Sequence, residues 1–128
     1  MKIFLTRWFQ RWARREGLAD AALCNVVEEL NQGFVEANLG GGLYKKRVAL
    51  PGRGKSGGTR TLIAFRRADA AFFIYGFAKN QRDNITPREL AALKALASEL
   101  LRYDDAQRQQ ATTGGILKEI SDDESFNA

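Results

Sequence analysis

The sequence contains no histidine, one cysteine and two prolines among its 128 residues. Without histidine, neither a Ser-His-Asp triad nor a Cys-His pair can form, and a zinc site would lack ligands. The single cysteine, Cys24, cannot form an internal disulfide, and its position in an apolar helical stripe indicates a core side chain. These absences exclude the enzyme chemistry that depends on histidine or on a catalytic cysteine-histidine pair.

No apolar run approaches the roughly 20 residues that a membrane-spanning helix needs. The first nine residues carry Lys2 and Arg7 instead of the long apolar core of a signal peptide, so we expect a cytoplasmic protein. With 45% apolar and 27% charged residues, the chain fits one globular domain. We predict that this domain spans residues 1–105 and that residues 106–128 form a polar to acidic tail.

Acidic residues are absent from 37–68, although the whole chain carries a net charge of only +5. Such an acid-free block predicts a polyanion as partner, because Lys and Arg contacts to phosphate dominate the affinity for nucleic acids. The alternative is a solvated basic face with no ligand. The cations of this block are Lys45, Lys46, Arg47, Arg53, Lys55, Arg60, Arg66 and Arg67.

Apolar spacing predicts three helices. The first follows a short strand at 2–5, carries apolar residues from Leu5 to Trp12, and ends at Gly17. The second has Asp20 as its N-cap and apolar residues at helical spacing up to Phe34. The third begins at Thr86-Pro-Arg-Glu89, which matches a capping box with proline at the first helical position.

Three apolar runs at 43–50, 59–67 and 70–79 predict an antiparallel meander, with a hairpin at 67–69 and a longer glycine-rich loop at 51–58. The third run is apolar on both faces and is expected to be the central strand. The predicted fold class is therefore α+β, with two N-terminal helices, an antiparallel meander and a C-terminal helix. Residues 116–120 are either an edge strand or disordered.

The segment Gly52-Arg-Gly-Lys-Ser-Gly-Gly58 imitates the end of a nucleotide-binding P-loop. The P-loop needs a glycine where this chain has Ala49, and it opens a helix where this chain enters a strand, so we reject that interpretation. The glycines still allow close approach of backbone amides to an anion, and Arg53 and Lys55 add mobile charge. A phosphate-binding loop and a merely flexible hairpin tip are both compatible with this pattern.

Lys45 and Arg47 lie two residues apart on a predicted strand and therefore share one face. In a meander, Arg60 and Lys79 converge on the same side of the sheet. Tyr75 and Phe77 precede Lys79 on its own face, where they either stack with a base or belong to the core. Paired carboxylates are missing from this region, so the sequence predicts neither a metal site nor a metal-dependent nuclease.

These motifs resemble the RelE/HigB branch of the RelE/ParE toxin superfamily, in particular its phage-associated members with a Gly-Lys-Ser-Gly-Gly loop. The resemblance covers roughly residues 18–101 and implies a small α+β domain that cleaves messenger RNA in the ribosomal A site. It also implies an inhibitory antitoxin, expected to contain a helix-turn-helix unit. The motifs are Leu39-Gly-Gly-Gly-Leu-Tyr-Lys45-Lys-Arg47, Gly52–Arg60, Phe73-Ile-Tyr-Gly-Phe-Ala-Lys79-Asn80 and Asn84-Ile85.

Carried over residue by residue, the resemblance implies that Lys45, Arg47, Arg60 and Lys79 are catalytic, without cofactor or metal. Lys45 is the candidate base, the arginines stabilise the transition state, and Lys79 holds phosphate or acts as the acid. Many members carry a tyrosine just after the last core strand, and residues 80–85 contain none. The candidate RNA-binding residues are Lys46, Arg53, Lys55 and Ser56.

Two other functions are compatible with the same motifs. A ParE-like inhibitor would bind DNA gyrase through this fold without cutting RNA, and an inactivated prophage remnant would bind nucleic acid without catalysis. The converging cations favour RNA cleavage, because a protein-binding inhibitor does not need a cluster of phosphate-binding side chains.

Overall fold

A computed structural model describes residues 1–50 and 54–121, with residues 50 and 54–57 described through their backbone only. These described residues form four helices and six strands. In order they are β1 (Lys2–Thr6), α1 (Arg7–Glu16), α2 (Asp20–Asn31), β2 (Ala37–Gly40), β3 (Leu43–Leu50), β4 (Gly54–Arg66), β5 (Ala70–Ala78), α3 (Pro87–Leu101), α4 (Asp105–Thr113) and β6 (Leu117–Ile120).

The strands form one mixed sheet in the order β2-β3-β4-β5-β1-β6. The predicted antiparallel meander is confirmed in β3, β4 and β5, and the predicted hairpin joins Arg66 to Ala70. β1 adds to the far edge of β5 in parallel, and β6 then pairs antiparallel with β1. The α+β class is correct, and the sheet is wider than the meander alone.

Two apolar cores lie on opposite faces of this sheet. One core joins α1 and α2 to the sheet around the fully buried Phe9, Leu23 and Phe73, and it includes Cys24. The other joins α3 and α4 to the sheet around Leu62 and Phe72. Alternation along the strands explains this division, because neighbouring residues point to opposite faces and β5 is buried on both.

The three helices predicted from the sequence are present, with small differences in where they begin and end. α1 ends at Gly17 in the left-handed conformation, as predicted. The predicted N-cap of α2 is wrong: Ala19 occupies that position without a side-chain hydrogen bond, and Asp20 is the first helical residue. Phe34 follows the end of α2 and is exposed, so it does not extend the apolar stripe of the helix.

The prediction of a glycine-rich loop over 51–58 is wrong for residues 54–58, and residues 51–53 lie outside the described residues. β4 begins at Gly54, which pairs with Leu50 across a β-bulge. Extended backbone is open to every residue type, so a run of small residues can continue a long two-stranded hairpin. Lys55 and Ser56 therefore lie on a strand, and Arg53 lies outside the described residues.

Residues 105–113 form a helix that composition does not indicate, and of the two alternatives for 116–120 the edge strand is the one observed. Asp104 and Gln107 form a reciprocal capping box that starts α4. Arg108, although charged, is buried against the rings of Phe4 and Phe72 and donates two hydrogen bonds to Asp69. α4 is polar, and its one long buried side chain is an arginine. Its sequence therefore has no apolar stripe whose periodicity would predict a helix.

The predicted capping box of α3 is confirmed, and its carboxylate is one of the groups that make stability depend on pH. The Glu89 carboxylate accepts hydrogen bonds from the Arg82 guanidinium and from the Thr86 backbone N–H, which lower its pKa from 4.5 to about 2. A carboxylate whose pKa is lower in the folded state stabilises that state above its unfolded pKa. This contribution is lost as the pH falls from 4.5 towards 2.

We expect the melting temperature to fall less between about pH 6 and about pH 3 in Glu89→Gln than in the parent, because the variant has no titrating carboxyl at this position. Circular dichroism melts at both pH values measure the difference. Asp69, whose pKa is also lowered, chiefly by the hydrogen bond from Arg108, remains in both proteins and cancels in the comparison. An identical pH dependence in the two proteins would contradict this prediction.

Candidate nucleic-acid interface

Four cations occupy one face of the meander. Arg47 of β3 lies directly opposite Arg60 of β4, and paired residues share a face. Lys45 lies two residues before Arg47 on the same strand, and therefore on the same face. Arg60 in turn opposes Phe77 of β5, and Lys79 follows two residues later, with its backbone N–H donating to the carbonyl of Gly58. We call Lys45, Arg47, Arg60 and Lys79 the cationic face.

The register fixes how the four cations are arranged. Arg47, Arg60 and Phe77 form a row across three strands. Lys45 lies about 7 Å from this row along the strand direction, and Lys79 lies about 7 Å from it on the other side. Strand spacings then put the two lysine Cα atoms about 16 Å apart, a gap that their long side chains can narrow from both ends.

Arg60 is the only member of the cationic face that is buried, with 8% of its surface exposed. Its Nε lies 3.0 Å from Oε1 of Glu36, although β3 separates β4 from the segment that contains Glu36. Glu36 is held there by its own backbone N–H, which donates to the carbonyl of Lys45. Nη1 of the same guanidinium is also buried, and it has no hydrogen-bond partner in the described part of the chain.

An unpartnered, buried guanidinium nitrogen is costly, of the order of 1–3 kcal/mol, unless a ligand satisfies it. Arg47 and Lys79 are exposed and Lys45 is half-buried, so these side chains are accessible to such a ligand. Guanidinium groups bind phosphate oxygens through paired N–H donors. The arrangement is therefore suited to a phosphate held at the Arg47–Arg60 pair with a lysine on either side.

Lys46, predicted to bind RNA, faces the other way. Its strand neighbours Tyr44 and Val48 belong to the core beneath α1 and α2, and Lys46 shares their face. Its Nζ lies 3.0 Å from Oε1 of Glu29 on α2, and only 13% of the side chain is exposed. The ion pair with Glu29 balances the charge of Lys46, so this side chain does not need an RNA phosphate as its partner. Arg53 and the side chains of Lys55 and Ser56 lie outside what the structure describes.

Two features of the site were missed by sequence reasoning. Glu36 stands one residue before the acid-free block, and nothing local indicates that it reaches Arg60. Arg82, beyond the end of β5, lies over the ring of Phe77 at 5.6 Å and donates to the hydroxyl of Tyr75. Both contacts depend on the packing of distant segments, which local spacing cannot reveal.

The described residues were compared with two further kinds of site, a metal site and a membrane-spanning helix. Within residues 1–50 and 54–121, no three Cys, Asp or Glu side chains are grouped as metal ligands would be. Over the same ranges, no helix combines the length and the apolar character needed to cross a bilayer.

Comparison with protein families identifies one match. Residues 1–120 match the model of the RelE toxin of the RelE/RelB toxin-antitoxin system. A search of curated proteins finds no match. Because the family match spans all six strands and all four helices, the chain belongs to the RelE toxin family of toxin-antitoxin systems.

Proposed function

We propose that this toxin is a metal-independent endoribonuclease that cleaves messenger RNA in the ribosomal A site, and that the cationic face is its active site. The observation that carries the proposal is the Arg47–Arg60 pair, in which the buried guanidinium of Arg60 has no partner at Nη1 among the described residues and lies opposite an exposed second arginine. A phosphodiester supplies the anionic oxygens that these donors lack.

The arrangement suits an in-line displacement. The 2′-oxygen of one nucleotide attacks the adjacent phosphorus, the bond from phosphorus to the 5′-oxygen breaks, and the products are a 2′,3′-cyclic phosphate and a 5′-hydroxyl. A base removes the 2′-OH proton, and an acid on the opposite side of the phosphorus protonates the departing 5′-oxygen. Lys45 and Lys79 flank the arginine row from opposite sides, as the base and the acid of such a reaction must.

Within this proposal Lys45 is the base, and Lys79 is the acid or holds the phosphate. Arg47 and Arg60 stabilise the negative charge that accumulates on the phosphorane oxygens. Glu36 is a positioning residue: it fixes Nε of Arg60 and so directs the free nitrogen of that side chain. The chain is small, so the ribosome is proposed to supply the orientation of the message that an independent nuclease would build for itself.

Primer extension on cellular messages after brief induction tests the proposal. We expect cuts at codon-spaced positions, with 5′-hydroxyl ends that polynucleotide kinase can label. Purified protein should cut a message on ribosomes far faster than the same message alone. A DNA damage response without cuts would instead support the gyrase inhibitor, and neither effect would support the non-catalytic prophage remnant.

Members of this family act with a cognate antitoxin. We propose that the antitoxin of this toxin combines a helix-turn-helix unit with an acidic segment that covers the cationic face, because opposite charges speed association and fix orientation. The cytoplasm, where ribosomes work, is the proposed location of both. Co-expression of the adjacent small gene should restore growth, and binding should weaken as salt is raised. Binding that is indifferent to salt would contradict an acidic docking segment.

A further inference from the structure

An exposed tryptophan of α1 contacts Tyr75 of β5, the strand that leads to Lys79. Trp8 is 43% exposed, although its ring stacks on Tyr75 with 4.6 Å between centroids and an interplanar angle of 23°. It also stacks on Trp12, whose ring is buried over Gly76, where a Cβ atom would overlap it. Trp8 is therefore held in a fixed orientation while nearly half of its surface faces solvent.

The sheet explains how Trp8 reaches this position. β1 pairs with β5 only as far as Leu5 and Phe73, so the second half of β5 has no partner from β1 at that edge. The chain turns at Thr6, whose hydroxyl accepts from the N–H of Phe9, and α1 begins at once. Trp8 in the first turn of α1 then lies against Tyr75 on the uncovered length of β5.

Two exposed arginines of α1 lie on the same side of the helix as Trp8. Arg11 and Arg15 lie three and seven residues after Trp8 on α1, and therefore on its helical face. Both are exposed, and neither forms an ion pair among residues 1–50 and 54–121. On the other side, Arg82 donates to the hydroxyl of Tyr75. Arg82 is itself paired with Glu89, so the free cations of this site are Arg11 and Arg15. An exposed aromatic ring beside free arginines has the elements of a single-stranded nucleic-acid site.

The stack is adjacent to the arginine row. Tyr75 opposes Leu62, and Leu62 lies two residues from Arg60 on the same face. Diagonal neighbours of this kind are about 7–8 Å apart. A strand of RNA with one phosphate at Arg47 and Arg60 therefore passes the Trp8–Tyr75 stack within a short length of chain.

We propose that Trp8 is a nucleobase-binding site for single-stranded RNA, where a base close to the scissile phosphate stacks while Arg11 and Arg15 hold the neighbouring backbone. This inference rests on the proposed ribonuclease function and deepens it. Stacking tolerates every base, so Trp8 contributes affinity and alignment without a fixed sequence preference. Folding alone does not require the exposed part of the ring.

Tryptophan fluorescence tests the site directly on the full-length protein. The probe is a short single-stranded RNA with 2′-O-methyl groups, which lacks the nucleophile and cannot be cut. The chain has two tryptophans, and Trp12 is only 5% exposed, so quenching on titration reports on Trp8. We expect quenching in the parent. Because Trp8→Ala lacks the reporter, its affinity is compared with that of the parent by the anisotropy of an end-labelled probe, and we expect a loss of about tenfold or more.

Two further variants test whether the loss of RNA affinity is specific to the aromatic ring at position 8. Trp8→Phe retains an aromatic face and should bind more tightly than Trp8→Ala. Phe34→Ala removes another exposed aromatic, which is 59% exposed and has no ring contact within the described part of the chain, and should bind like the parent. Circular dichroism melts verify that each variant folds before its affinity is compared.

Cleavage on ribosomes separates failure of this site from failure of the proposed function. If the parent cuts messages but Trp8→Ala binds the probe as tightly as the parent, the base site is wrong and the ribonuclease stands. If the parent does not cut, yet the probe quenches Trp8 and the alanine variant loses binding, the site stands and the ribonuclease fails. Quenching by the antitoxin but not by RNA would overturn the site in favour of a protein interface.

Discussion

Replacing Arg60 with alanine is expected to slow message cleavage by about a hundredfold or more, which corresponds to about 3 kcal/mol of lost transition-state stabilisation. Arg60 is buried on β4, between β3 and β5, and its Nε is fixed by Glu36. Its Nη1, which has no hydrogen-bond partner among the described residues, is a donor whose position is set before substrate arrives. Cells that express Arg60→Ala should therefore grow where the parent arrests them.

A second buried arginine provides the matched control. Arg108 is 6% exposed, is paired with Asp69, and has a buried nitrogen without a hydrogen-bond partner in the described residues, as Arg60 does. It lies on α4, away from the cationic face. Arg108→Ala should lower the free energy of unfolding by about 1–3 kcal/mol, because it removes buried hydrogen bonds and packing. Its rate of cleavage per folded molecule should remain that of the parent.

The comparison separates a catalytic role from a structural one. Cleavage is measured at a temperature where circular dichroism shows all the proteins folded. Arg60→Lys retains the charge and loses the paired donors, so it should recover only part of the rate. A rate for Arg60→Ala equal to that of the parent would refute the assignment of the cationic face as the active site.

Local sequence signals predicted the elements whose cause is local. Apolar spacing, a terminating glycine and a capping box define α1, α2 and α3, because each acts within a few turns of the chain. β2 is four residues long and contains two positions of low strand propensity, Asn38 and Gly40, so nothing in it indicates a strand. It forms because the edge of β3 offers backbone hydrogen bonds, an effect that arises only in the folded sheet.

In the candidate site too, some arrangements follow from local sequence signals and others depend on the folded sheet. Alternation along β3 puts Lys45 and Arg47 on one face, and the hairpin topology brings Arg60 opposite Arg47. The contact between Arg60 and Glu36 spans the width of a strand and depends on how the chain enters β2. Trp8 looks from its spacing like a core residue of an amphipathic helix. Its exposure follows from β1 ending before β5 does, a difference in strand length that periodicity cannot show.

Deleting residues 104–128 is expected to abolish cooperative folding. The deletion removes α4 and β6, and β6 pairs with β1 from Thr6 opposite Leu117 to Ile3 opposite Ile120. Leu117 and Ile120 are 2% and 5% exposed, and full burial of each such side chain contributes about 1.5–3 kcal/mol. Together with the loss of Arg108 from Phe4 and Phe72, this approaches the whole stability of a typical domain, about 5–15 kcal/mol.

The matched deletion of residues 122–128 retains every contact just described and should leave the melting temperature within a few degrees of the parent, because no described side chain is removed. Thermal melts and urea titrations of the two truncated proteins measure the contrast. A cooperative transition at the parent's temperature after loss of 104–128 would show that β6 and α4 are dispensable.

The shorter deletion also removes Asp122, Asp123 and Glu124, so it tests whether acidic residues restrain the cationic face while the sheet stays intact. Exposed ion pairs contribute only about 0–1 kcal/mol each, so we expect its toxicity to match that of the full chain, with inhibition left to the antitoxin.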